Sequence, residues 1–297
     1  MPDYLEEDYE RVVGDVVETR LLPGSRIEVV CELELDAAPE HVLFDFDGTL
    51  SLIREGWPEV MVPMMVEILA ETGTSESPEE LHALSHDFVM ELNGKQTIYQ
   101  MIRLAEEVRK RGGRPREPVE YKEIYHDRLM QRIDGRREAL RSGRCAPEDL
   151  LVPGSVQFLE ALLRRGLRLY LASGTDETYV KEEVRLLGLD RYFGGHVYGA
   201  VEDYRSFSKA LVIERILKDN RVRGDLLLGF GDGYVEIQNI KSAGGTAVAV
   251  ASDEAKRSGQ PDAWKRDRLI GVGADLVIPD FGEYDRIVEL FWDNARS

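Results

Sequence analysis

After VPGS, residues 152–155, the chain alternates amphipathic stretches with short apolar runs, and no other feature narrows its possible folds as far. VQFLEALLRRG leads into LRLYLASG, DETYVKEEVRLLG into HVYGA, KALVIERILKD into DLLLGFGD, and EIQNIKSAGG into TAVAV. Short strands joined by such helices build a parallel sheet through right-handed crossovers, with helices on both faces. An earlier apolar run, His41 to Phe46, reads as the first strand of that sheet. Residues 58–150 are strand-poor and helical in pattern, so they read as an insertion after it. Within this block, TIYQMIRLAEEVRKRGG puts Ile98, Ile102 and Ala105 on one side and ends its helix at Gly112. The expected layout is an extension over 1–40, a core from 41–57 and 151–297, and an all-helical unit over 58–150.

In the extension, Ile27, Val29, Cys31, Leu33 and Leu35 alternate with Glu28, Glu32 and Glu34, the period of a strand with one wet face. The 297 residues, 43% of them hydrophobic, suffice for a large core. Lys and Arg number 38 against 56 Asp and Glu, a net charge of -18, which argues against nucleic acid or an anionic membrane as partner. An anionic substrate would need a locally positive pocket. Cys31 and Cys145 lie too far apart in sequence to suggest a disulfide framework or zinc knuckle. The acidic N-terminus lacks the regions of a signal peptide and no apolar run approaches membrane-spanning length, so the expected compartment is the cytoplasm. Oligomeric state is not legible.

Ligands of an open parallel sheet bind at the carboxyl ends of its strands. There the sequence places Asp45 and Asp47, in HVLFDFDGTL, then Ser173 and Asp232, while Lys209 opens the helix leading into the Asp232 strand. Asp45 interrupts an apolar run with a charge that is costly to desolvate, so a compensating cation or a chemical task is implied. Each residue alone has a plainer reading: DFDG as an Asp-Gly turn, Ser173 as part of a loop leading into a helix, Lys209 as a surface lysine, Asp232 as a turn residue. A calcium loop does not fit, because the acidic spacing after Gly48 is missing. The combination is what carries weight.

The order DFDGTL, LYLASGT, SFSKALVIERIL and GFGDGYVE resembles the four signature motifs of the haloacid dehalogenase superfamily of phosphohydrolases. The resemblance covers about 41–50 and 151–280. Within the superfamily it is similar to the group with a helical cap inserted after the first motif, typified by phosphoglycolate phosphatase and β-phosphoglucomutase. It implies a Rossmann-like α/β core with residues 58–150 as the cap. It implies magnesium at Asp45, Asp47 and Asp232, with Asp45 as nucleophile giving an aspartyl-phosphate. Asp47 would ligate through its backbone carbonyl, while its side chain protonates the leaving group and then activates water. Lys209, the Ser173 hydroxyl and the Gly174 amide would bind the phosphoryl oxygens. Relatives carry an aspartate four residues after Asp232; here Glu236 stands in its place, a candidate for metal support with a different reach.

The expected function is a magnesium-dependent phosphatase of a small phosphorylated metabolite. An acid at position 47 favours phosphoryl over dehalogenase chemistry. A phosphotransferase or sugar phosphomutase with the same nucleophile is the alternative, although SLIREGW lacks the histidine such mutases tend to carry. A non-catalytic module that senses a phosphorylated ligand is the alternative of another class. LNGKQTIYQMI resembles the cap loop that contacts the leaving group, making Gly94, Lys95 and Gln96 candidates for specificity; NGK also reads as a plain turn between helices. His82 and His86, although spaced i, i+4, lack a third ligand and read as a solvated helix face. Trp57, Trp264 and Trp292 read as packing residues, and Ile287, Leu290 and Phe291 as core. RKRGGRPREP (109–118) and SDEAKRSGQPD (252–262) have loop composition.

Overall fold

A computed structural model describes residues 18–33, 37–201 and 206–293. Its sheet runs from edge to edge through Arg20–Leu21 (β1), Glu28–Val29 (β2), Leu276–Ile278 (β8), Thr246–Val250 (β7), Leu227–Gly231 (β6), His41–Phe44 (β3), Arg168–Asp176 (β4) and Val197–Ala200 (β5). The central strand β3, His41–Phe44, lies between β4, Arg168–Asp176, and β6, Leu227–Gly231, and is parallel to both. Beyond β4 lies β5, Val197–Ala200; beyond β6 lie β7, Thr246–Val250, and β8, Leu276–Ile278. The chain leaves β3 toward one edge and later returns to build toward the other. The point of reversal opens a crevice at the carboxyl ends of β3, β4 and β6.

The sheet is a mostly parallel α/β core. Its departure from the fully parallel expectation lies in β1, Arg20–Leu21, and β2, Glu28–Val29, which pair antiparallel and extend the sheet beyond β8. The long alternating strand expected over 27–35 shrinks to Glu28–Val29, and Glu34 and Leu35 fall outside the described residues. Its wet face is partly dry too: Glu28 is buried beside the Arg266 guanidinium, 2.6 Å from Nε. Periodicity does not register an ion pair that lets a carboxylate turn inward.

Alternation along β3 sends Val42 and Phe44 to one face of the sheet and Leu43 to the other. On the first face, Phe44 stacks on Phe230 with ring centroids 5.1 Å apart and meets Phe158 edge-on. Helices α5, Ser155–Arg164, and α6, Glu177–Leu186, cover this face together with the short α7, Asp190–Phe193. The opposite face packs on α8, Lys209–Asn220, α9, Tyr234–Ser242, and α10, Ala263–Gly271. Ile287 and Phe291 are buried in the core as expected, whereas Trp264 is 41% exposed and stacks with the Arg268 guanidinium instead of filling the interior.

Between β3 and α5 come α1, Pro58–Ala70, α2, Pro78–Glu91, α3, Thr97–Lys110, and α4, Pro118–Arg141, with no strand among the described residues of this stretch. Local chemistry sets their starts: Ser77 accepts from the Glu80 amide while the Glu80 carboxylate accepts from the Ser77 amide, and Pro78 occupies the first turn. The buried face of α3 runs through Ile98, Met101, Leu104, Ala105 and Val108, with Ile102 at its margin. Ile102 therefore faces the core less squarely than the sequence reading has it.

Candidate active site

β3 ends at Phe44, two residues short of the expected end, although the Asp45 amide still donates to the Phe230 carbonyl at 2.9 Å. The chain then curls: the Phe46 carbonyl accepts from the Thr49, Leu50 and Ser51 amides, and Gly48 takes a left-handed φ of +75°. A Cβ built on Gly48 would lie 2.2 Å from Asp232 Oδ2, so glycine is required for Asp232 to come this close. Asp45 and Asp47 consequently face one cavity of about 100 Å³ by way of a turn rather than an extended strand. Ser173, Gly174, Lys209 and Asp232 line the same cavity. Residues spread from position 45 to 232 thus converge at the crevice.

Lys209 is the first residue of α8, where the helix dipole disfavours a cation. Two buried carboxylates compensate: Nζ lies 2.7 Å from Asp45 Oδ1 and also contacts Glu236. Glu236 thus pairs with the lysine, a partner the motif comparison had not suggested. Burial pushes the Asp45 carboxyl up to about 6; Lys209 opposes the shift and Asp232 adds to it. Asp47 rises to about 7, again through burial, against the pull of Arg54. Its Oδ2 accepts from Thr175 Oγ1 at 2.9 Å and Ser173 Oγ at 3.3 Å. Ser173 itself sits inside β4, which continues to Asp176 through an irregularity after Ala172.

Three groups that motif reading did not single out bear on these carboxylates. Arg54, buried, points Nε at Asp47 Oδ1 from 3.7 Å and makes a two-pronged pair with fully buried Glu183 at 3.0 and 2.8 Å. Lys265 places Nζ 2.8 Å from Asp232 Oδ2 and 2.7 Å from Glu254 Oε1. Tyr125, from α4, also lines the cavity, and burial raises its phenol pKa. The REGW and DAWKRD stretches hold charged residues of ordinary appearance. Only the buried side chains facing them across the fold set Arg54 and Lys265 apart.

The turn between α2 and α3 completes the wall. Gly94 and Lys95 line the cavity, and a Cβ on Gly94 would come within 3.3 Å of the Gly233 backbone. Gln96 points elsewhere, donating through Nε2 to the Phe207 carbonyl at 2.8 Å. His82 and His86 stack on each other and are exposed, and no group of three His, Cys, Asp or Glu side chains is poised to hold a metal among the described residues.

The donor set still suits magnesium. Asp45 and Asp232 line one cavity and offer carboxylate oxygens of the kind that ion takes. Positive charge is short here: Asp232 repels Asp45, and Asp47 Oδ1 is buried with no hydrogen-bond donor.

The family model of haloacid dehalogenase-like hydrolases matches residues 39–244. No curated protein matches. Among solved structures, a β-phosphoglucomutase from Clostridium difficile superposes with a TM-score of 0.57 at 16% identity, covering 86% of this chain and 98% of its own. A predicted phosphoglycolate phosphatase from Haemophilus somnus gives 0.53 at 19% identity, covering 84% and 98%. CbbY from Rhodobacter sphaeroides, in complex with xylulose-(1,5)bisphosphate, gives 0.51 at 20% identity, covering 82% and 96%. At these identities the likeness speaks for the fold. Among the described residues no helix is long and apolar enough to cross a membrane.

Proposed function

The chain belongs to the haloacid dehalogenase-like hydrolases, and from that premise we propose that it is a magnesium-dependent phosphatase acting on a small phosphorylated metabolite of the sugar-phosphate or phosphoglycolate kind. The observation that carries this reading is the placing of buried Asp45 and half-buried Asp47 on one cavity with the Lys209 ammonium.

In this reading Asp45 attacks phosphorus. A carboxylate O–P bond forms, the bond from phosphorus to the leaving oxygen breaks, and an aspartyl-phosphate results. Asp47, whose carboxyl sits at about 7, is poised to be protonated near neutrality and gives its proton to the departing alkoxide. It then takes a proton from the water that hydrolyses the intermediate, which frees Asp45 and phosphate. Thr175 orients the Asp47 side chain. Lys209, Ser173 Oγ and the Gly174 amide bind phosphoryl oxygens as charge redistributes. Magnesium, held by Asp45, Asp232 and the Asp47 carbonyl, would supply charge neutralisation for the phosphoryl group, with Glu236 acting on this set through Lys209.

The helical residues 58–150 form the cap in this proposal, set on the core of 41–57 and 151–297. Gly94 and Lys95 are its specificity contacts, and Gln96 fastens the turn that carries them. Cap contact over the cavity keeps bulk water from the reacting phosphate.

The test is a phosphate-release screen over a broad panel of phosphorylated metabolites, with magnesium and with chelator. Metal-dependent release from one or a few small esters is expected. Tight binding of an ester without turnover across the panel would mark a sensing module. Movement of label between positions of one sugar without free phosphate would mark a mutase.

A further inference from the structure

Lys265 lies outside the four motifs yet touches a proposed metal ligand. Asp262 caps α10 by accepting from the Lys265 amide at 2.9 Å, which fixes where this side chain leaves the helix. From there Nζ reaches Asp232 Oδ2 at 2.8 Å, Glu254 Oε1 at 2.7 Å and Ser252 Oγ at 3.2 Å. Ser252 in turn donates to the Gly48 carbonyl at 2.5 Å, so the lysine is joined to the loop carrying Asp45 and Asp47. Lys265 and its two charged partners are well covered, with side chains 10% exposed for Lys265, 11% for Asp232 and 18% for Glu254.

Beside the substrate cavity lies a second one of about 440 Å³, and Asp232 and Glu254 line both. Lys265 borders the second only, along with the carboxylates of Asp253 and Asp262. An ammonium leaving Asp232 therefore has open space and other acidic groups within its flexible reach.

The geometry points to Lys265 as a displaceable internal counter-ion: it neutralises Asp232 and Glu254 in the metal-free protein, and a divalent cation competes with it for Asp232. The inference rests on the magnesium reading of the site. Its physical basis is that the ammonium sits on Asp232 Oδ2 in a poorly solvated place and repels a divalent ion approaching the same carboxylate, so the lysine's hold subtracts from metal affinity. Lys209 also holds a proposed ligand, Asp45, but in the proposed function it stays at the site to bind phosphoryl oxygens, whereas Lys265 has no such part.

The experiment is direct Mn2+ binding to the full-length, chelator-stripped protein, followed by the electron paramagnetic resonance signal of the free ion, with no phosphate ester present. Lys265→Met should tighten Mn2+ binding about tenfold or more. It should also lower the melting temperature of the metal-free protein, and saturating Mn2+ should narrow that difference. Lys265→Gln, which keeps a donor for both carboxylates, is expected to tighten binding likewise and serves if the methionine variant does not fold. Unchanged or weakened affinity in the folded variants, with wild-type binding intact and lost in Asp232→Asn, overturns the counter-ion role and leaves the magnesium reading standing. Failure of wild type and variants alike to bind Mn2+ overturns both.

Discussion

At the carboxyl edge of the sheet, Asp45, Ser173 and Asp232 are carried on strands or directly after them, and hydrogen-bonded ladders on both sides fix where β3 ends. In the helical block, the residues facing the same cavity hang from the turn between α2 and α3. Discrete contacts fasten that turn and its neighbours to the core: Gln96 to the Phe207 carbonyl, Arg268 to the Glu91 carbonyl, Arg137 to Glu182. A ladder has no alternative register that keeps the core buried. A few polar contacts can open singly. On the proposed function, chemistry belongs to the rigid edge and substrate selection to the fastened turn, so substitutions at the edge should strike turnover and those at the turn should strike apparent affinity.

The sharpest way to break that division is Asp45→Asn. Turnover should fall by about a thousandfold or more, since the nucleophile is lost and not merely misplaced. The thermal melt should hold or rise, because a carboxylate whose desolvation is costly has been made neutral. Phosphate release at near wild-type rate would remove Asp45 from the reaction.

Next in size is Arg54→Met, which leaves the fully buried Glu183 without its two-pronged partner and withdraws charge from Asp47. Removing one side of a buried pair costs about 3–5 kcal/mol, read by urea denaturation. Adding Glu183→Leu should return part of that loss, because the orphaned charge goes with it. A single-variant loss below about 1 kcal/mol would show that the pair contributes no more than an exposed one.

The third concerns pH in the metal-free protein. Asp45 and Asp47 rise from the ordinary 3.8 to about 6 and about 7, so between those values the folded chain holds protons the unfolded chain has released. Their contribution is full below about pH 4 and is lost as pH rises through about 7. Denaturation in chelator across that window should show Asp47→Asn losing less stability with rising pH than wild type. Parallel curves would mean that Asp47 titrates normally in the fold.

How much of this was legible follows the same divide. The alternation after residue 152 announces β4 to β7 and their helices because each strand is buried on both faces and each helix on one, which composition records. Asp45, Asp47, Ser173, Lys209 and Asp232 converge because chain order and the rule of strand ends suffice to place them. Periodicity was silent on β1 and overextended β2, two residues each, whose place depends on the free edge of β8 and on Arg266 covering Glu28. Arg54 and Lys265 could not be read from the sequence, since nothing local separates a buried arginine or lysine from a solvated one. Their partners Glu183 and Asp232 are distant in sequence, and only the folded sheet brings them near.

The smallest effect expected is that of Gln96→Ala, and it tests the turn most directly. Gln96 was a candidate for substrate contact, but its amide is spent on the Phe207 carbonyl, two residues before Lys209. The substitution should therefore act on how firmly the turn sits over the cavity and leave the reacting groups in place. One such hydrogen bond contributes about 1 kcal/mol net. If turn seating is coupled to substrate binding, KM should rise by about fivefold with kcat nearly unchanged, because seating stabilises bound substrate and transition state alike. A loss confined to kcat would instead mean that Gln96 supports Lys209 through residue 207, and would move this turn from substrate selection into the chemistry of the sheet edge.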